Sequence, residues 1–334
     1  MLPDGAGAVI APEAALPYFY RLAPPTGHHE LAALELQALT GAPAPSMARV
    51  GASGDIDRIA WARVGVDVAR SSYVAECCRL LASAPDLGGL LGAARKLHLR
   101  MERFRVRVRK RGVAAPATRE IERMVADLIE GGPDLTRPAR ELVVLAAPGR
   151  WLLGESVSRG ANRWQGHEQR PHQYSSALPP RIARALVNLV AVPGDTLIDP
   201  CCGVGTVLVE AAEMGVQAVG CEINPRLVEH AAANLGHHGL SAHLAVADGR
   251  DLSGRFDGAV VDLPYGHTSV RVEGVGDALV ARAVAIARLV AIVAADDLTG
   301  LLADLGADLL GVAAIAKGSL VRRVHWARGR GGEL

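Results

Sequence analysis

From residue 181 to residue 327, short apolar runs alternate with segments of helical period, and four of the runs end in or beside a carboxylate: Asp199, Glu222, Asp248 and Asp262. Helices are predicted over 181–189, 206–214, 225–235 and 280–287. Strands are predicted over 196–199, 217–222, 242–246, 259–262 and 289–294, and 309–316 with 321–327 as a hairpin. A strand that feeds a helix and then another strand returns to the same sheet in parallel, so this rhythm predicts a doubly wound α/β domain. Such sheets bind their ligands beyond the carboxyl ends of the strands, which is where the four acids fall.

The first run ends Asp199-Pro-Cys-Cys-Gly203-Val-Gly205-Thr206 and enters a helix. Two glycines at i and i+2 permit a sharp turn and close approach of a ligand, and the helix start beyond offers free N–H groups. No third glycine follows in dinucleotide spacing, and Asp199 is ill suited to a pyrophosphate. An acid there suits the cationic amino-acid end of S-adenosylmethionine. Glu222, 23 residues after Asp199, is placed for ribose hydroxyls with Ile223 beside it, and Asp248-Gly249 for an adenine amino group. Cys201 and Cys202 read as cofactor-wall and packing residues. Five cysteines without a C-x-x-C pair favour neither a disulfide framework nor a metal site.

The fourth run delivers Asp262-Leu263-Pro264-Tyr265. This resembles the (Asp/Asn)-Pro-Pro-(Tyr/Phe) motif of amino-methyltransferases. The resemblance implies that Asp262 and the Leu263 carbonyl accept the hydrogens of an exocyclic base amine while Tyr265 stacks on the base. Leu263 departs from the usual proline, yet the acceptor is main-chain and Pro264 still keeps Leu263 extended.

The N-terminal half has a different texture. A formal net charge of +1 and 4% aromatic residues argue against a strongly basic binder and a base-stacking platform. That charge is a sum of opposites: residues 95–111 carry nine basic groups and one acid, while 182–331 carry 12 basic and 16 acidic groups. Residues 103–109 alternate with strand period, so Arg103, Arg105, Arg107 and Arg109, with Lys110 and Arg111, are expected to face outward and meet phosphates. Residues 18–22 read as a strand and 29–39 as a helix. Residues 57–70 and 73–81 read as helix-like, 83–89 as a break and 118–130 as an amphipathic helix. Residues 141–145 and 151–154 read as strands, and 158–180 as a linker.

The stretch 104–111, a helix, then Pro133-Asp-Leu-Thr-Arg-Pro138 and the two strands resemble a THUMP domain, an RNA-binding module. Residues 170–188 are similar to the stretch before the cofactor turn in tRNA guanine-N2 methyltransferases acting at guanosine 10. The resemblance implies an N-terminal ferredoxin-like domain (1–70), a THUMP domain (71–157), the linker (158–180) and a Rossmann-like class I methyltransferase domain (181–331). It further implies S-adenosylmethionine as cofactor, Tyr174, Ser176 and Leu178 closing over its methionine end, tRNA as partner and room for a small activator subunit. Other amine targets (guanosine 6 of tRNA, ribosomal guanine, DNA adenine or cytosine) share the motif, and a non-catalytic RNA-binding protein is the alternative of another class. No signal peptide reads in residues 1–20, and 278–295 is broken by Arg282 and Arg288, so a cytoplasmic chain without a membrane span is expected.

Overall fold

The computed structural model describes residues 16–41, 46–50, 57–110, 112–263, 274–317 and 320–331. In chain order the strands are β1 Tyr18–Leu22, β2 Ser46–Val50, β3 Asp57–Ala62, β4 Val74–Ala84, β5 Phe104–Lys110, β6 Arg140–Ala147 and β7 Arg150–Arg159. They continue as β8 Thr196–Asp199, β9 Gln217–Glu222, β10 His243–Val246, β11 Phe256–Asp262, β12 Ala287–Ala294, β13 Asp308–Lys317 and β14 Leu320–Arg328. The helices are α1 His29–Thr40, α2 Leu87–Lys96, α3 Thr118–Ala126, α4 Pro180–Val190, α5 Thr206–Glu213, α6 Pro225–His237, α7 Val275–Ile286 and α8 Thr299–Asp304. None of the described helices is long and apolar enough to cross a membrane.

The chain forms two units that interleave in sequence. The first takes residues 1–23, 42–68 and 74–159; the second takes 24–41, 69–73 and 160–334. The expected partition at residues 70 and 157 therefore misses where contacts separate.

In the first unit β1–β7 make one sheet in the order β2-β3-β1-β4-β7-β6-β5, antiparallel except where β5 runs parallel to β6. Segments 57–70 and 73–81 are thus strand-bearing rather than helical. A short apolar run has no decisive period, and β1 pairs with both of these strands. Helix α2 begins inside the expected break, because the Asp86 side chain accepts from the Gly89 amide at 2.7 Å and caps it. Alternation on β5 sends Phe104, Val106 and Val108 into a core with Leu90, Ile121 and Leu142.

The opposite face of β5 corrects the outward reading of Arg107. Its side chain is 9% exposed, paired with the buried Glu76 and with Glu141 at 3.0 Å. Arg105 and Arg109 are exposed. Lys110 is half-buried and donates to the Pro116 carbonyl at 2.8 Å. Arg103 donates to the Arg137 carbonyl at 2.7 Å, and Asp134 accepts from the amides of Thr136 and Arg137 at 2.9 and 2.8 Å. The Pro133–Pro138 stretch is therefore a side-chain-closed turn fastened to the start of β5. Arg111 lies outside the described residues.

In the second unit the order is β10-β9-β8-β11-β12-β14-β13, parallel from β10 to β12 and antiparallel at β14 and β13. This is a Rossmann-like α/β sheet. The chain leaves β8 for β9 and β10 on one side and returns to β11 on the other, so the switch point lies between β8 and β11. The expected linker is packed here: residues Arg163–Glu168 form a 3₁₀ turn with Trp164 and His167 buried. His167 meets Glu210 at 2.7 Å, and Arg184 reaches Glu210 and Glu213 at 2.9 and 2.7 Å.

Helix α1 also belongs to this unit. Leu34 lies against β13, where a Cβ on Gly311 would come within 2.5 Å of it. Glu35, fully buried, accepts from Ser71 Oγ at 2.6 Å, the amides of Ser72 and Tyr73 at 2.9 Å each, Ser72 Oγ at 3.2 Å and Asn188 Nδ2 at 2.7 Å.

Candidate active site

Strands β8 and β11 lie side by side in parallel, with Ile198 opposite Ala259. Their carboxyl ends therefore bring Asp199 and Asp262 to the same edge. Both acids line one cavity of about 250 Å³, with Tyr174, Ser176 and Leu178 on one side and Cys201, Gly203 and Thr206 on another. Leu263 completes the wall next to Asp262. Of these, Asp199, Cys201, Gly203, Thr206 and Asp262 stand out by strand order and spacing, whereas Tyr174, Ser176, Leu178 and Leu263 are named only by the resemblance.

The turn after β8 has the shape its glycines allow. Gly203 and Gly205 take φ of +52° and +80°. A Cβ on Gly205 would approach Ala231 Cβ to 2.9 Å, so α6 packs directly on the turn. Glu222 reaches across from β9, accepting from the Gly203 amide at 3.1 Å and the Asn224 amide at 3.0 Å. Its neighbour Ile223 is 67% exposed, an apolar surface beside an acid. Gly249 is buried under Pro200, whose carbonyl a Cβ would meet at 2.2 Å. Asp248 binds Arg250 at 2.5 Å, and that bond lowers its carboxyl to about 2.

Charge in the cavity is one-sided. Burial pushes the Asp199 carboxyl up to about 8, and the charges of Asp262 and Glu222 add to it, against the Cys201 amide that donates to it at 3.2 Å. A buried carboxylate in that state calls for a cation. Thr206 Oγ1, at the first position of α5, is buried without a hydrogen-bond partner among the described residues. An acid for an ammonium, a hydroxyl and a helix start for a carboxylate, and an acid beside an exposed isoleucine fit S-adenosylmethionine.

The Cys201 thiol is held well above its ordinary range by burial and by Asp199, and it donates to the Asp262 carbonyl at 3.6 Å. It ties the turn after β8 to the end of β11. Pro264, Tyr265 and the rest of 264–273 lie outside the described residues.

Two contributors carried no readable sequence signal. Asn234, buried in α6, accepts from the His172 amide and donates to the carbonyls of His172 and Val204, each at 2.9 Å. It thereby fastens the 172–178 strap to the glycine turn. Tyr174 adds a bond to His230 Nδ1 at 3.1 Å, and His230 stacks on His172 at 3.8 Å. Arg322, on β14, donates to Asp262 Oδ1 at 3.1 Å.

Residues 167–283 match the family model described as UPF0020: RMKL-like, methyltransferase domain. The tRNA (guanine(10)-N2)-dimethyltransferase of Methanothermobacter thermautotrophicus is 33% identical over 177 residues, 49% of this chain and 52% of that protein. The enzyme of the same name from Pyrococcus abyssi is 37% identical over 105 residues, 30% of this chain and 32% of that protein. The 23S rRNA (uracil(1939)-C(5))-methyltransferase RlmD of Cupriavidus necator is 28% identical over 232 residues, 60% of this chain and 51% of that protein. The chain thus spans about half, or less, of the length of these three curated relatives. Among solved structures, TrmN from Thermus thermophilus superposes with a TM-score of 0.47 at 22% identity, over 93% of this chain and 99% of that one.

Proposed function

We propose that the protein is an S-adenosylmethionine-dependent tRNA guanine-N2 methyltransferase, acting at guanosine 10 in the cytoplasm. The observation that carries this reading is the delivery of Asp262 and Leu263, the head of the Asp-Leu-Pro-Tyr motif, to the wall of the acid-lined cavity at the switch point. The names of the archaeal relatives support the substrate.

Asp199 would hold the ammonium of S-adenosylmethionine, Thr206 and the start of α5 its carboxylate, and Glu222 its ribose, with Ile223 against the adenine. The bound cofactor supplies an electrophilic methyl. Asp262 as carboxylate and the Leu263 carbonyl draw on the hydrogens of the guanine amine, which localises its lone pair on nitrogen. Asp262 then takes the proton that the nitrogen sheds on alkylation. All five cysteine thiols are pushed up by burial, so none is held as a thiolate nucleophile. That favours amine methylation over carbon-5 chemistry, which needs one.

The test is in vitro methylation of an unmodified tRNA transcript by the purified chain, with the product mapped by mass spectrometry. N2-methylguanosine at position 10 is expected; none at any guanosine overturns the reading. Activity of the chain by itself removes any need for an activator subunit.

Asp199 makes cofactor binding pH-dependent. Its carboxyl is raised in the free protein, and pairing with an ammonium requires it ionised, so binding near pH 7 releases a proton. Affinity rises with pH and levels off above about 8. Calorimetry in buffers of different ionisation enthalpy is expected to show this release, and Asp199→Asn to abolish it along with most of the affinity. Equal heats in all buffers would contradict it.

The first unit supplies the phosphate contacts in this reading, through the exposed Arg105 and Arg109. Arg105→Ala is expected to weaken tRNA binding and reduce the slope of log K against log salt by about 1. A slope equal to that of the unsubstituted protein would remove Arg105 from the contact set.

A further inference from the structure

Burying an arginine is costly unless its charge is met. Arg322 is 1% exposed, and its Nη1 lies 3.1 Å from Asp262 Oδ1. The topology explains how a residue so late in the chain reaches the site. Strand β12 runs parallel to β11, with Val293 opposite Asp262, and β14 runs antiparallel to β12, with Arg323 opposite Ala294. The first residues of β14 therefore lie at the carboxyl edge of the sheet, where Asp262 ends β11.

The charged and titratable groups that bear on Asp262 include Asp199 from the end of β8, Cys201 from the turn and Arg322 from β14, while Glu222 from β9 bears on Asp199 and Cys201. Asp199 crowds the carboxylate and Arg322 holds it. On its other side Arg322 acts on His28, which contacts Tyr73 Oη at 2.8 Å and the Ala316 carbonyl at 3.1 Å. The guanidinium thus sits in a walled position rather than on a mobile surface arm.

We propose that Arg322 is a positioning residue for Asp262: it fixes the orientation of the carboxylate and keeps it ionised, and so fit to accept the hydrogens of the target amine, beside the acids of the cofactor cavity. This rests on Asp262 being the acceptor in methyl transfer. Arg322 is not among the residues that line the cavity, and it acts through Asp262. An acceptor of this kind is useful only as the carboxylate, because the protonated form presents a donor to a donor.

The experiment compares the full-length protein with Arg322→Met and Arg322→Lys, using tritiated S-adenosylmethionine and unmodified tRNA transcript, with calorimetry of S-adenosylmethionine alone. Arg322→Met is expected to lower kcat by about 10²-fold. It is expected to move the acid limb of the kcat–pH profile upward by about one unit or more. Cofactor binding at pH 8 should persist, and Arg322→Lys should recover part of kcat and of the shift. A kcat equal to that of the unsubstituted protein, or a loss with the acid limb unmoved, overturns the proposal.

Should Arg322→Met not fold, the unsubstituted protein still decides the matter. The Asp262 carboxyl carbon, identified by its loss in Asp262→Asn, should titrate at or below the ordinary carboxylate value of about 4 despite the neighbouring Asp199, and a value well above it overturns the proposal. The two readings fail separately. A protein that methylates no tRNA guanosine refutes the proposed function. A protein in which Asp262→Asn is dead and Arg322→Met is normal refutes only the role of Arg322.

Discussion

Asp262→Asn is expected to reduce methyl transfer to tRNA by about 10²–10³-fold while the protein still binds S-adenosylmethionine. The substitution keeps the shape of the side chain and turns one acceptor into an NH₂ donor. Set against the hydrogens of a guanine amine, that donor repels where the carboxylate attracts. It also removes a negative charge that contributes to raising the Asp199 carboxyl, so Asp199 ionises more readily. Cofactor affinity at pH 7 should accordingly hold or improve as turnover collapses. Filter-bound transfer assays and calorimetry on the same preparation check both halves. Parallel loss of binding and turnover would mean that Asp262 shapes the cofactor cavity instead of serving the base.

Glu35→Ala is expected to destabilise the second unit by about 3–5 kcal/mol. The carboxylate is fully buried and accepts five hydrogen bonds from Ser71, Ser72, Tyr73 and Asn188. Without it the Ser72 amide loses its acceptor, and the Tyr73 and Asn188 amides keep only the longer bonds to Ser71 Oγ and the Arg70 carbonyl, 3.2 Å each, an unsatisfied buried donor costing about 1–3 kcal/mol. Glu35→Gln keeps one acceptor and should lose less. Urea denaturation gives the magnitude, and hydrogen exchange gives the location, as lost protection at Ser72 and Tyr73. A change below about 1 kcal/mol would show that water or neighbouring groups replace the carboxylate.

Legibility followed the range of the interaction. Strands β8, β9 and β11 and the helices between them could be read because each is a local pattern with its own turn residues, and the strand-end acids followed from that register. Residues 57–70 and 73–81 have a helix-like texture, yet the strand state of β3 and β4 comes from pairing with the two sides of β1, which no local period encodes. Arg107 was taken for a surface cation because alternation names the face but not what lies on it; Glu76 and Glu141 on that face bury it. Arg322 escaped notice for the same reason: its partner is 60 residues away in sequence. Asn234 is a polar residue in a helix until the strap it holds is seen.

Helix α1 gives the protein a constraint on its synthesis. The Ala314 amide on β13 donates to Glu30 on α1 across 284 residues of sequence. On the ribosome the helix emerges early and must wait for α4, whose Asn188 donates to Glu35, and then for β13 before both of its contacts are made. The sheet around the candidate active site therefore closes only after translation has passed β14, which lies between β12 and β13. A fragment beginning at residue 160 carries every proposed catalytic residue but lacks Glu35, the acid that holds Asn188. Ribosome-stalled chains released just before β13 and just after β14 should differ sharply in protease resistance over residues 29–40.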